Sequence, residues 1–296
     1  MINTIEYATK ATAALDEKFV AESVTKFLED GEMKTQFVGT KQVSIPEVDF
    51  SGLGNYDRAT GFSEGAITIT RKIYELKNDR SKTFSLDRMD KDESGVSAEA
   101  GEYMGKFVKR AVVPEVDTYV IAKLSQVAKA QTQTVAWNAE APVEVFNELL
   151  TGVQESVGYN DELVCFIDGR AFSALKSSKE FVRNIEVSNF KKGNIDTTIR
   201  KIDNVTLIPV PADRMKDFIE LLDTEAGGYS TEGGKDVHML MLPKDFAHLV
   251  KKTEKMRIFT PEQNQAMDAY KFDYRIYYDV FVKNSELGGV WASIDA

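Results

Sequence analysis

Residues Asp92 to Gln131 read DESGVSAEAGEYMGKFVKRAVVPEVDTYVIAKLSQVAKAQ, and the rest of the chain is organised around them. Apolar positions recur at Val96, Ala100, Tyr103, Met104, Phe107, Val108, Ala111 and Val112, then at Val116, Val120, Ile121, Leu124, Val127 and Ala128. Steps of three and four over so many turns define one continuous apolar stripe along a helix. At helical rise the element would reach roughly 50 Å, more than one compact domain needs. Pro114 is its flaw. Proline lacks an amide proton and pushes the preceding residue, Val113, away from helical angles, so a kink or break is expected there.

The surrounding chain is long enough, at 296 residues, for two ordinary domains or one large elaborated one. A hydrophobic content of 43% suffices for a real core. The net charge of −10 disfavours a protein that grips phosphate backbones, which takes clustered Lys and Arg. A single cysteine, Cys165, excludes an internal disulfide and any CxxC metal set. No apolar run approaches ~18 residues, and the N-terminus has no basic-then-apolar leader, so a soluble protein of a reducing cytoplasm, off the membrane, is expected.

Upstream of the long helix, residues 1–37 carry good helix formers but only a thin apolar stripe, which fits a short surface helix or an arm that docks elsewhere. Lys41–Phe50 reads as a strand with Val43 and Ile45 on one face, interrupted by Pro46. Ser51–Gly65 is glycine-rich loop, and Ala66–Leu76 alternates Ile67, Ile69 and Ile73 against Thr68, Thr70 and Lys72. Together they make an extended hairpin with too little apolar content for a core of its own, so it must lie on another surface. Arg71, Lys72, Lys77, Arg80, Lys82, Arg88 and Lys91, against Glu75, Asp79, Asp87 and Asp90, make the hairpin locally basic, while residues 140–169 contain seven acidic and no basic residues. Arg71, Lys72, Arg80 and Lys82 on one side, and Glu144 and Glu148 on the other, are therefore the candidate self-association residues.

Downstream, a helix over Ala141–Val157, a strand at Glu162–Asp168, a helix at Ala171–Ser178 and strands at Ile195–Ile202 and Val205–Val210 suggest a compact α/β or α+β domain. A helix at Asp213–Leu222, an exposed loop at Glu225–Asp236, a buried strand at Val237–Leu242, a helix at Lys244–Lys251 and strands at Lys271–Lys283 and Val290–Ile294 complete the reading.

A catalytic constellation is hard to assemble. Cys165, His238 and Asp168 are the residue types of a nucleophile, its base and its orienter. Yet Cys165 is flanked by Val164, Phe166 and Ile167, as a packed thiol would be. No metal-ligand spacing, dinucleotide fingerprint or phosphate-loop lysine is present, so no catalytic residue, metal or cofactor is expected. A projecting hairpin, an arm and an over-long helix without a chemical centre suit a chain built to touch copies of itself.

The order of these parts resembles the major capsid protein of tailed bacteriophages, the Hong Kong 97-like coat fold that encapsulins also use. AITITRKIYELKNDRSKTFSLDRMDKDES is similar to the returning strand of that family's extended loop, and VVPEVDTYVIAKLS to the proline-containing later half of its spine helix. NVTLIPVPADRM looks like an axial-domain strand running into a short helix, and VHMLMLPKDFAHLVKKTEKMRIFTPE like the late part of such coats. The likeness covers nearly everything from about residue 35, through loose patterns in a specific order. It implies an α+β capsid fold divided into an N-terminal arm (1–37), an extended β-hairpin loop (38–91), a spine helix with the start of the peripheral domain (92–134), a mainly axial domain (135–235) and C-terminal strands and a helix completing both domains (236–296).

The resemblance further implies an icosahedral shell of pentamers and hexamers of this one chain, enclosing double-stranded DNA without sequence-specific binding, in a virion assembled in the host cytoplasm. Because arm and loop begin almost at Met1, a separate scaffolding protein is expected, together with a portal. Lys72, Lys77 and Asn284 are of the types that some relatives crosslink, but nothing singles out a pair. An encapsulin-type compartment with protein cargo, a cysteine-dependent enzyme, and a binding module whose acidic face recruits a basic partner are the alternatives.

Overall fold

A computed structural model describes residues 23–29, 36–38, 41–56, 58, 61–87, 100–159, 161–178, 186–192, 195–202, 204–224 and 226–295. Most of the expected arm helix lies outside these residues. What is described there is a 3-10 turn, Lys26–Glu29, followed by β1 (Gln36–Val38). β1, β2 (Gln42–Phe50) and β3 (Ile67–Glu75) form an antiparallel sheet in that order. Pro46 does not interrupt β2. It pairs with Arg71 beyond the Gln36–Ser44 pair where the described β1 stops, so among the described residues β2 has one neighbour there and the missing amide leaves no gap in the described ladder.

β4 (Asn78–Asp87) follows at once but joins another sheet. The long helix then runs as α1 (Ala100–Phe107), a π turn (Val108–Val112) and α2 (Val113–Ala130). Val113 keeps helical angles (φ −59°, ψ −50°), against the expected departure, and the helix passes through Pro114 unbroken. The accommodation is one turn upstream, where the Val113 amide donates to the Val108 carbonyl five residues back. That wider turn makes room for the proline ring, which in a regular helix would clash with the carbonyl four residues before it. Val112, Val113 and Val116 are all buried, so packing holds both halves in place.

Next come β5 (Thr134–Ala136), α3 (Pro142–Val157, with proline in its first turn), β6 (Leu163–Asp168) and α4 (Gly169–Ser177), whose N-cap Asp168 accepts from the Ala171 amide. A hairpin of β7 (Glu186–Lys192) and β8 (Ile195–Ile202) leads to β9 (Val205–Val210). β10 (Glu220–Leu221) and β11 (Tyr229–Ser230) form a small ribbon, and β12 (Val237–Pro243), β13 (Ala247–Phe259), β14 (Ala269–Val282) and β15 (Trp291–Ile294) end the chain.

Seven strands make a mixed sheet in the order β5-β15-β12-β6-β9-β8-β7, and β13-β14-β4 make an antiparallel one. β6 and β12 lie side by side inside the larger sheet and are buried at every position. Their continuous apolar runs reflect a sheet covered on both faces. Cys165, Ile167, Met239 and Met241 pack with Phe146, Leu149 and Val153 of α3 and Leu175 of α4. Phe166, Leu240 and Leu242 pack with Val116, Val120, Ile121 and Leu124 of α2, in a cluster that also takes in Phe272, Tyr274 and Ile276 of β14. The long helix thus seals both sheets into one core.

Two expected helices are absent. Residues 213–222 form only a 3-10 turn, Ala212–Arg214, because their backbone groups are spent elsewhere. The Met215 carbonyl takes the Val237 amide, the Asp217 amide donates to Lys235 and the Leu222 amide to Gly228. The stretch 244–251 is a turn and then β13, since pairing along β14 from Ala247↔Val282 to Phe259↔Lys271 overrides the helix preference of its Ala, Leu, Lys and Glu residues. His248 accordingly sits on a strand, not a helix.

Candidate assembly surface

The β2–β3 ribbon has an anchored base and a free outer half. At the base, Val43, Ile45 and Leu76 join Val250, Tyr277 and Phe281 in a separate small core, and the Tyr74 ring packs 5.2 Å from Phe281. The Tyr277 hydroxyl donates to the Leu76 carbonyl at 3.0 Å, and the Lys77 amide to Asp279 at 3.1 Å. Beyond Glu47, which also accepts from the Asn284 backbone, the two strands pair only with each other among the described residues. Register places Phe50 opposite Ile67, Val48 opposite Ile69 and Ser44 opposite Ile73, so these residues share one face. That face is open to solvent, with Phe50 73%, Ile67 67%, Ile69 65%, Ile73 59% and Val48 46% exposed. The connecting loop adds exposed Leu53, Tyr56 and Phe62, the last two ring to ring at 5.2 Å. The opposite face is polar and internally paired, with Lys72 2.7 Å from Glu47, whose carboxyl that bond holds below the usual range.

The candidate cations do not form one patch. Arg71 and Lys72 lie on β3, Arg71 exposed. Arg80 and Lys82 lie on β4 and turn inward. Arg80 grips Glu115 of α2 through Nε (3.0 Å) and Nη2 (3.3 Å) and reaches the Leu222 and Gly228 carbonyls at 2.9 and 2.8 Å. Lys82 donates to the Ala226 carbonyl at 3.2 Å. Arg80 therefore braces β4, the helix just past Pro114 and the loop beyond β10 within one subunit. Glu144 and Glu148 stand exposed on the outer face of α3, whose Val145, Phe146 and Leu149 point into the core.

The arm's exit is also fixed. Asp117, fully buried on α2, accepts from Ser23 Oγ (2.8 Å), Thr25 Oγ1 (2.7 Å) and the Thr25 amide (3.3 Å), and pairs with Arg214 at 2.9 Å. Leu28 inserts into the core beside it. The spacing of Ser23, Thr25 and Asp117 carried no signal of this contact, which spans 92 residues of chain.

The cysteine site is not assembled. Burial pushes the Cys165 thiol up to about 12, far from a thiolate at neutral pH. Cys165 pairs across the sheet with Met241, three residues or about 10 Å along β12 from His238. His238 does meet Asp168, at 3.0 Å, but its other nitrogen is taken by Asp295 at 2.9 Å, leaving none for a nucleophile. Among the described residues no group of three or more His, Cys, Asp and Glu residues is placed to hold a metal, and no helix is long and apolar enough to cross a membrane.

No protein-family model matches the sequence, and no curated protein does. Solved structures do match. The capsid of the cyanophage P-SCSP1u has a TM-score of 0.62 at 12% identity over 93% of this chain and 89% of its own. The mature capsid of bacteriophage PhiM1 has a TM-score of 0.56 at 12% identity, covering 87% and 82%. A virus-like particle from Pyrococcus furiosus has a TM-score of 0.57 at 11% identity, covering 98% and 100%. Across nearly its whole length, then, the chain has the α+β fold of tailed-phage capsid proteins, the Hong Kong 97-like fold, shared with an encapsulin-like particle.

Proposed function

We propose that the chain is a shell-forming capsid protein whose subunits complete one another, each ribbon lying on a neighbouring copy. The observation that carries this reading is the ribbon's open apolar face. Burying one Ile or Phe side chain contributes about 1.5–3 kcal/mol, so covering three of them offers on the order of 5 kcal/mol per contact before the entropic cost of association. Contacts of that size are weak singly and strong when every subunit makes several. Rings of such head-to-tail contacts close into pentamers and hexamers, and closure caps growth.

The shell we propose is the icosahedral capsid of a tailed phage, built in the host cytoplasm with a separate scaffolding protein and a portal, and enclosing double-stranded DNA. A net charge of −10 suits a container that holds nucleic acid without gripping it. In this reading residues 42–75 are the extended loop and 100–130 the spine, while 78–87 belong with the β13–β14 sheet. The second reading, a nanocompartment with protein cargo, draws support from the full-length match to the Pyrococcus furiosus particle. Electron microscopy of the expressed chain, alone and with its genomic neighbours, tests the proposal. Shells holding nuclease-protected DNA support the phage reading and shells holding an enzyme the compartment reading. A chain that stays monomeric at high concentration contradicts both.

A further inference from the structure

We propose that His238 is a pH-sensitive latch, which in its protonated form ties the C-terminal end of β15 to the large sheet and in its neutral form lets that end fray. The side chain emerges where β12 shifts register against β15, between Val237 and Met239, an irregularity that re-aims a strand residue. It is 3% exposed and sits between two carboxylates, Nδ1 3.0 Å from Asp168 Oδ2 and Nε2 2.9 Å from Asp295 Oδ1. A neutral imidazole carries one N–H and one lone pair, so it can donate to one of these groups only and must turn a lone pair toward the other. Two carboxylates at hydrogen-bond distance call for the imidazolium.

The neighbouring charges leave that cation to those two groups. Asp236, just before β12, is matched by Lys216 and by Arg170 of α4 at 3.9 Å. Asp168 spends its other oxygen on the Ala171 amide that starts α4, at 2.6 Å. The Trp137 ring stacks on the imidazole at 4.6 Å and 23°, where an indole face favours a cation. Burial opposes the charge, but the bonds to Asp168 and then Asp295 outweigh it, so the group titrates above its ordinary 6.5. Because the folded value is raised, the latch is fully closed below about 6.5 and is lost as pH rises through the folded value. Asp295, 50% exposed, is the carboxylate that water can then claim. Two backbone bonds, Asp295 to Asp236 and Trp137 to Ile294, remain to limit the opening.

The device reads out in Trp137 fluorescence, since a protonated imidazole quenches a stacked indole. The full chain carrying W291F is titrated upward from pH 6. Emission is expected to rise with a midpoint above 6.5, and amide exchange over residues 290–295, corrected for its intrinsic pH dependence, to quicken roughly tenfold past that midpoint, as loss of one charge-assisted bond implies. H238Q abolishes the transition. D295N, at a half-exposed side chain that folding tolerates, moves the midpoint down. The chain's other histidine, His248, titrates near 4 and does not interfere. A midpoint at or below 6.5, or one that D295N leaves in place, overturns the proposal.

Discussion

β12 and β3 are both rich in large aliphatic residues. β12 buries every position from Val237 to Pro243, while β3 leaves Ile67, Ile69 and Ile73 at 59–67% exposure. The difference does not lie in the strands. β12 sits mid-sheet between helices α2 and α3, whereas the outer half of β3 has β2 on one edge and, among the described residues, nothing over its apolar face. On the proposed reading the body is finished by its own chain and the ribbon by a neighbouring copy, which would cover an apolar face of this length.

The largest effect is expected on the finished side, at Asp117. Asp117→Ala removes the buried carboxylate that the buried Thr25 and the part-buried Ser23 and Arg214 share, and should cost about 3–5 kcal/mol in denaturant unfolding. Leu240→Ala in β12 should cost about 2–5 kcal/mol, whereas Ile69→Ala, chemically the like change, should stay within about 0.5 kcal/mol and yet impair shell formation. Equal losses in the two strands would mean that the ribbon is already packed in the free subunit.

Acid should act at the ribbon's base. His248 pairs across β13–β14 with Phe281 of the small core that anchors it, and burial lowers its pKa to about 4. The folded value lies below the unfolded one, so the unfolded chain binds the extra proton and stability falls as pH drops from 6.5 toward 4. At pH 5 the loss from this group is about 2 kcal/mol. In unfolding at pH 5 against pH 7, His248→Leu should shrink the acid loss by about that amount, and an unchanged difference would exonerate His248.

Smaller still is the effect of R71E/K72E. Lys72 and Glu47 are a partly exposed pair, so the subunit should lose about 1 kcal/mol or less. If the ribbon's cations meet the acidic face of α3 on a neighbour, shell assembly followed by light scattering should weaken and lose its salt sensitivity. Arg80 and Lys82 are unsuited to this test, because reversing them would break the brace to Glu115 and the 222–228 loop.

The legible parts of the fold were those whose periodicity answers to local burial. The stripe of Met104, Val108, Val112, Val116, Val120, Ile121, Leu124 and Ala128 and the run of β12 state which face is covered, although Tyr103 and Ala111 of the same stripe stand exposed. The alternation of Ile67, Ile69 and Ile73 states which residues share a face, and that face is open. The expectation that the hairpin lies on another surface, its own domain or a neighbouring copy, comes from its small apolar content, and its base does pack on its own chain through Val43, Ile45 and Leu76. What stayed hidden depends on distant partners. AHLVKKTEKM has helix propensity and becomes a strand because β14 offers a full ladder. Asp213–Leu222 loses its helix to bonds with 228–237. Val113 keeps helical angles because a π turn upstream absorbs Pro114, an exchange that no single-residue preference encodes. Among the candidate site residues, Arg71, Lys72, Glu144 and Glu148 are on the surface, but charge counting could not tell that Arg80 and Lys82 turn inward.

The central claim, that the ribbon is the unfinished part of the subunit, is tested most directly by removing its outer half alone. Residues 48–69 would be replaced by an Asn-Gly turn joining Glu47 to Thr70, which keeps Val43, Ile45, Leu76 and the Lys72–Glu47 pair. The shortened chain is predicted to unfold at nearly the wild-type denaturant midpoint, yet to sediment as a monomer under conditions where the full chain forms shells. Shells of normal size from the shortened chain would contradict the account.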